Sequence, residues 1–172
     1  MQAVITSGSA ISLYVTDDSP QAEAHYRARF NFDPNSIAMA SGDYQYLLTG
    51  YANATNTVVL RVQFKNASGA YQVRLRSFND SGLDQNTPYV PISDGAHSLE
   101  VEWSAATVAG ANDGFVNFWI DGVLQGSLTG IDNDTYRLER VRLGVTYLAN
   151  AGTSGTYYFD AFESRRQTYI GP

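Results

Sequence analysis

Glu100 and Glu102 stand two residues apart in the stretch HSLEVEW, so on an extended strand both carboxylates leave one face. Paired carboxylates can perform acid–base chemistry on glycosidic bonds, provided that a substrate fits between them. Phe115, Asn117 and Trp119 share one face of FVNFWI and place an amide between two rings. Flat rings stack on the apolar faces of sugars, and amides hold hydroxyls. Tyr44 and Tyr46 repeat that spacing. Arg27, Arg29, Arg74 and Arg76, with His25, His97 and the tyrosines, supply the residue types of an elimination: a cation for a carboxylate and groups that move protons. Asp160 interrupts an aromatic run, Tyr157, Tyr158, Phe159 and Phe162, and a carboxylate so placed needs a cation, an Arg or backbone donors. Asp33, Asp43, Asp17 and Asp18 are its candidate partners around a hard cation such as calcium.

Other chemistries are excluded. The chain has no Cys and 2 His, which removes thiol catalysis, disulfides and His-rich metal sites. It contains no Gly-rich phosphate loop, no Gly-x-Ser-x-Gly elbow and no His-Glu-x-x-His. The net charge of −6 argues against nucleic acid or an anionic membrane as partner. No apolar run is long enough to insert in a bilayer. MQAVITSG lacks the basic and apolar regions of a signal peptide, and Met1 reads as a start added to a domain of a longer exported protein.

The elements that must position these residues are strands. At 172 residues the chain is long enough for one domain with a substantial core, spanning 1–172 with extended tails at 1–9 and 165–172. HYRARFNFD alternates cleanly, Tyr26, Ala28, Phe30 and Phe32 on one face against His25, Arg27, Arg29, Asn31 and Asp33 on the other. Val58 to Lys65 and Tyr71 to Phe78 alternate likewise, with Arg61, Gln63, Lys65, Arg74 and Arg76 outward on a solvated face. His97, Leu99, Val101 and Trp103 align inward, leaving Glu100 and Glu102 on a solvent face opposite arginines. Asp121-Gly122 is a type I′ hairpin signal. Short strands with frequent turns and no amphipathic helix predict an all-β fold, an antiparallel two-sheet β-sandwich.

His97-x-Leu-x-Val-x-Trp103, then Trp119-Ile120-Asp121-Gly122 and a closing Tyr158-Phe159-Asp160-x-Phe162, resemble the laminin-G-like, concanavalin A-like jelly rolls over residues 25–164. The resemblance implies a jelly roll, with Asp160 as the position of a structural calcium. Glycanases of this fold carry a third carboxylate where this chain has Ser104 and Ala105. Alginate-lyase-like jelly rolls carry Gln-[IV]-His and Tyr-Phe-Lys-Ala-Gly; this chain has no Gln-x-His and has Asp160 in place of that Lys. The expectation is therefore a non-catalytic, extracellular or cell-surface binding and adhesion module, not an enzyme. It would recognise a glycan or cell-surface polymer through Phe115, Asn117, Trp119, Tyr44 and Tyr46, with one structural calcium at Asp160, Asp33 and Asp43. The alternatives are a self-associating subunit of a filament, sheath or virion, and a glycan lyase or hydrolase.

Overall fold

The computed structural model describes residues 1–6, 12–52, 56–148 and 152–170. Thirteen strands follow in order: β1 Gln2–Ile5, β2 Leu13–Asp17, β3 His25–Asp33, β4 Tyr44–Ala52, β5 Thr57–Ala67, β6 Ala70–Phe78, β7 Asp84–Asn86, β8 Val90–Ile92, β9 His97–Ser104, β10 Gly114–Ile120, β11 Val123–Ile131, β12 Leu138–Leu148 and β13 Gly155–Arg165. They pair antiparallel throughout, into sheet A (β1-β13-β3-β9-β10-β11) and sheet B (β2-β12-β4-β5-β6-β7, with β8 also on β6). There is no helix among the described residues. The all-β, two-sheet sandwich is the fold that the alternation predicts.

The inner faces are apolar because the alternation is regular. Buried and partly exposed residues alternate without a break along β3 and β10. Phe30, Phe32, Val101, Trp103, Phe118 and Phe159 of sheet A meet Leu48, Leu60, Val62, Phe64, Leu75 and Val141 of sheet B in one core. Each such side chain contributes about 1.5–3 kcal/mol on burial. Asp121 and Gly122 both have positive φ, as a type I′ turn requires. Gly144 is also obligatory: its φ is +122° and an added Cβ would lie 2.3 Å from the Leu13 carbonyl oxygen.

Residues 2–5, expected as tail, pair with β13. Thr129–Ile131 continue β11, and Ala38 makes a single bridge to Ser154. Within β4, Tyr46 pairs with Gln63 and Leu48 with Val62, so Leu47 is an extra residue, a bulge. Leu47 and Leu48 are both fully buried. The bulge changes the phase of the strand: Tyr44 and Tyr46 lie outward before it, Thr49 and Tyr51 after it.

Candidate functional site

The outer face of sheet A carries most of the residues singled out by type, and it is closed around Glu100 and Glu102. Arg27, Glu102 and Asn117 pair directly across β3, β9 and β10. Glu102 accepts hydrogen bonds from Arg27 (2.6 Å), His25 Nε2 (2.8 Å) and Asn117 Nδ2 (2.8 Å). The C-terminal segment crosses above. Tyr169 lies 5.6 Å from the Trp119 ring, and the Arg27 guanidinium stands 5.4 Å from both rings. The Ile170 amide donates to Glu100.

Glu100 and Glu102 are thus 3 % and 5 % exposed rather than solvated. Strand parity placed them on the correct face, but residues distant in sequence cover it. Phe115, Asn117 and Trp119 are half-buried, with Asn117 and Trp119 engaged within the chain; they form no open platform. Tyr44 and Tyr46 belong to the other sheet, so the five residues do not make one site.

The His25–Glu102 contact is charged on both sides. His25 Nδ1 faces the Arg166 carbonyl, which only accepts, and Nε2 faces a carboxylate, so both nitrogens carry protons. The Glu102 hydrogen bond raises the His25 pKa above its ordinary value. Burial pushes Glu102 up, but hydrogen bonds from His25 and Asn117 and the charge of Arg27 hold it below the ordinary range. The two contributions have opposite signs in pH. The stability from His25 is complete below its unfolded pKa of about 6.5 and is lost as pH rises through the raised folded value. That from Glu102 is complete above about 4.3 and is lost as pH falls through its lowered value. Melting temperatures of wild type and His25→Gln should therefore differ most at mildly acid pH and converge in alkaline buffer; a constant difference across that range would refute the charged pair.

Sheet B presents a different outer face. Two rows run across its strands in direct register. One is Tyr147, Tyr46, Gln63 and Arg74 on β12, β4, β5 and β6. The other is Arg142, Thr49, Arg61 and Arg76, continued by Asn86 on β7. Lys65 stands beside them, its Nζ 3.7 Å from the centre of the Tyr89 ring, which also holds Arg74 at 4.3 Å. Arg61 lies 4.3 Å over the Tyr46 ring, and Arg142 lies 4.5 Å over Tyr14 and 5.0 Å over Tyr51. Arg76 donates to the Tyr46 hydroxyl at 2.5 Å and pairs with Asp84 at 2.6 Å. Arg74 Nε donates to Gln63 at 2.8 Å.

The two faces differ in charge balance. On sheet A, Arg27 pairs with Glu102 and Glu100, and Arg29 with Glu163. On sheet B, Arg61, Lys65, Arg74, Arg76 and Arg142 face one paired carboxylate among the described residues, Asp84. The other four make no ion pair there; rings take the place of counterions. Cations on strands about 4.8 Å apart repel one another until an anion joins them. In a chain of net charge −6, that concentration makes the outer face of sheet B locally cationic. Burial raises the Tyr44 pKa, and its neighbours Tyr46 and Tyr147 raise it further. The rings of Tyr44, Tyr46 and Tyr147 form a triangle with centroids 5.6–6.2 Å apart.

Alternation identified the outward residues of β5 and β6 but assigned them to a solvated face. A compositional signal was available: residues 44–78 contain no Asp or Glu, while four of the chain's 11 basic residues fall there.

The expected calcium ligands do not converge. Asp160 is exposed; Asp33 accepts from the Asn35 amide; Asp43 is buried and accepts from the Ala40 amide and Thr153. Among the described residues the three acidic side chains that bring an oxygen each within 4.8 Å of one another are Asp80, Asp132 and Asp134. The donor set Asp160, Asp33 and Asp43 therefore does not fit a single ion. Asp33 and Asp160 instead border a hollow of about 200 Å³ beside Asn31 and Tyr158 on sheet A.

No protein-family model matches the chain, and no curated relative matches it. Solved structures do. The alginate lyase Aly36B is similar at 14% identity over 99% of this chain and 80% of its own, with a TM-score of 0.67. An endo-β-1,4-glucuronan lyase from the fungus Trichoderma reesei is similar at 12% identity over 96% of this chain and 79% of its own, with a TM-score of 0.66. The alginate lyase vAL-1 from Chlorella virus is similar at 14% identity over 96% and 84%, with a TM-score of 0.61. The likeness establishes the concanavalin A-like jelly roll, without support for the laminin-G branch in particular. It also corrects the functional expectation. A non-catalytic adhesion module, and with it the expectation that the chain is no enzyme, gives way before similar structures that are mostly polysaccharide lyases, beside a bifunctional GH43-CE protein and a pentraxin. Among the described residues, no helix is long and apolar enough to cross a membrane.

Proposed function

We propose that the chain is a polysaccharide lyase acting outside the cell on a carboxylated glycan, with the outer face of sheet B as its active face. The observation that carries this reading is the unbalanced row of arginines lying in register beside a row of tyrosines. Elimination from a uronate needs a cation on the carboxylate, a group that takes the proton beside it, and a proton for the departing glycosidic oxygen.

Arg61, Arg76 and Gln63 would hold the carboxylate. Tyr46 accepts from Arg76 and is hydrogen-bonded with Tyr44; at 4 % exposure its O–H would protonate the departing oxygen once the glycan displaces the side chains that cover it. Tyr147, 48% exposed and next to Tyr46 in register, would take the ring proton as its phenolate and become the phenol. His25 lies on sheet A and His97 at the start of β9, so the proton carriers on sheet B are phenols.

Each elimination leaves a carbon–carbon double bond conjugated to the carboxylate, so ultraviolet absorbance reports the reaction directly. Glucuronan and alginate incubated with the protein should show that absorbance rising, and a neutral glucan should not. Chain cleavage without the new absorbance would make the protein a hydrolase, and no cleavage of any acidic glycan would remove the reading altogether.

A further inference from the structure

A second constellation lies at the rim of the sandwich, where the chain passes from sheet B to sheet A. The loop 93–96 leaves β8 on sheet B and enters β9 on sheet A. Ser93 Oγ is 2.8 Å from His97 Nε2, and His97 Nδ1 is 2.7 Å from Asp121 Oδ2 in the β10–β11 turn. The other Asp121 oxygen accepts from the Ser98 amide at 2.8 Å, which fixes the carboxylate.

The protonation pattern follows from the partners. The Ser93 amide also approaches His97 Nε2, at 3.1 Å, and an amide N–H can only donate. His97 Nε2 is therefore the lone-pair nitrogen, and Nδ1 carries the proton and donates it to Asp121. Burial pushes the Asp121 pKa up, but the bonds from His97 and the Ser98 amide outweigh it and leave the carboxyl ionised. This is the tautomer in which a histidine takes a proton from a serine. Ser93 is exposed, so its hydroxyl is open to a substrate. Among the described residues no hydrogen bond from the Asp94 or Gly95 amide is seen, and both follow the serine in the same loop. The loop is itself pinned, because Asp94 accepts from the Ser36 amide at 2.7 Å.

We infer that Ser93, His97 and Asp121 form a nucleophilic relay that hydrolyses small O-acyl esters. The Ser93 oxygen attacks the ester carbonyl carbon while His97 takes the hydroxyl proton. The bond from that carbon to the alcohol oxygen breaks, and His97 returns the proton to the departing alkoxide. Water, deprotonated by His97, then attacks the acyl-serine; acetate leaves and Ser93 regains its proton. Asp121 is a positioning residue that holds the imidazole and stabilises its charged form. Asp121 also borders a hollow of about 430 Å³ lined by Arg29, Asn31, Ser98, Gly122 and Ala161, where Arg29 and Asn31 could hold the hydroxyls of a sugar that forms the alcohol half of the ester. O-acetyl groups on a glycan are the substrate class that combines a small acyl group with such an alcohol.

The test uses the intact chain. A fluorophosphonate should label Ser93, located by peptide mass spectrometry, and 4-nitrophenyl acetate and an O-acetylated glycan should release acetate. Ser93→Ala, with an unchanged melting temperature, should abolish labelling and lower hydrolysis at least about a hundredfold. Asp121→Asn should lower the rate and change its pH profile while the exposed serine remains in place. Unlabelled Ser93, or a Ser93→Ala protein hydrolysing acetate esters at the wild-type rate, would reduce the constellation to a loop fastening. Either result is independent of the lyase assay, which reads a double bond formed on the other sheet.

Discussion

Replacing Tyr46 with Phe is expected to lower the rate of glycan elimination by about 10²–10⁴-fold, the usual contribution of a positioned proton donor. The change removes one oxygen and keeps the ring. Arg61 retains its seat 4.3 Å above that ring, and Arg76 retains Asp84. The cations that would bind the glycan stay in place, so the loss should fall on kcat, with the dissociation constant for an acidic oligosaccharide nearly unchanged. Arg61→Ala should do the reverse, weakening binding and reducing its dependence on salt, because fewer cations meet the polyanion. Initial rates of double-bond formation, with titration calorimetry on the same variants, separate the two. A Tyr46→Phe protein of wild-type rate would show that the proton comes from elsewhere.

Glu102→Ala is expected to cost about 3–5 kcal/mol of stability, the range found when one partner of a buried ion pair is removed. In a chain of this length that lowers the melting temperature by on the order of 10 °C. Three donors converge on this carboxylate, His25, Arg27 and Asn117, and the most enclosed of them, Arg27, would lose its charge partner. Arg27 sits between Trp119 and Tyr169, so its charge would remain enclosed by rings. Glu102→Gln keeps the shape and one acceptor oxygen and should cost less. Urea unfolding of the two variants measures the difference; a loss below about 1 kcal/mol for Ala would mean that the face opens and lets water in.

Strand alternation made the faces of β3, β5, β6 and β10 legible, because one apolar side determines which residues point inward. The Asp121-Gly122 hairpin was legible for a local reason, the left-handed backbone that both residues adopt. Pairing between strands distant in sequence was not. Tyr46, Gln63 and Arg74 become neighbours only when β4, β5 and β6 align, and no periodicity along the chain records that register. The covering of Glu100 and Glu102 was hidden for the same reason, since Tyr169 and Ile170 reach them from the far end of the chain. His97 shows a further limit. Parity assigns it to the apolar side with Leu99, yet as the first residue of β9 it turns to Asp121 and Ser93 at the rim.

The bulge at Leu47 has a consequence for how the outer face of sheet B could vary. It divides β4 into two halves that are read in different frames, much as an inserted nucleotide shifts a coding sequence. Deleting Leu47 would leave every residue type in place and exchange inside for outside along one half. Either the tyrosines would turn into the core or Thr49 and Tyr51 would. Substitutions at the outward positions can retune the face one residue at a time, but a one-residue change in length is a change of face, and lineages that alter β4 should do so in pairs of residues or not at all.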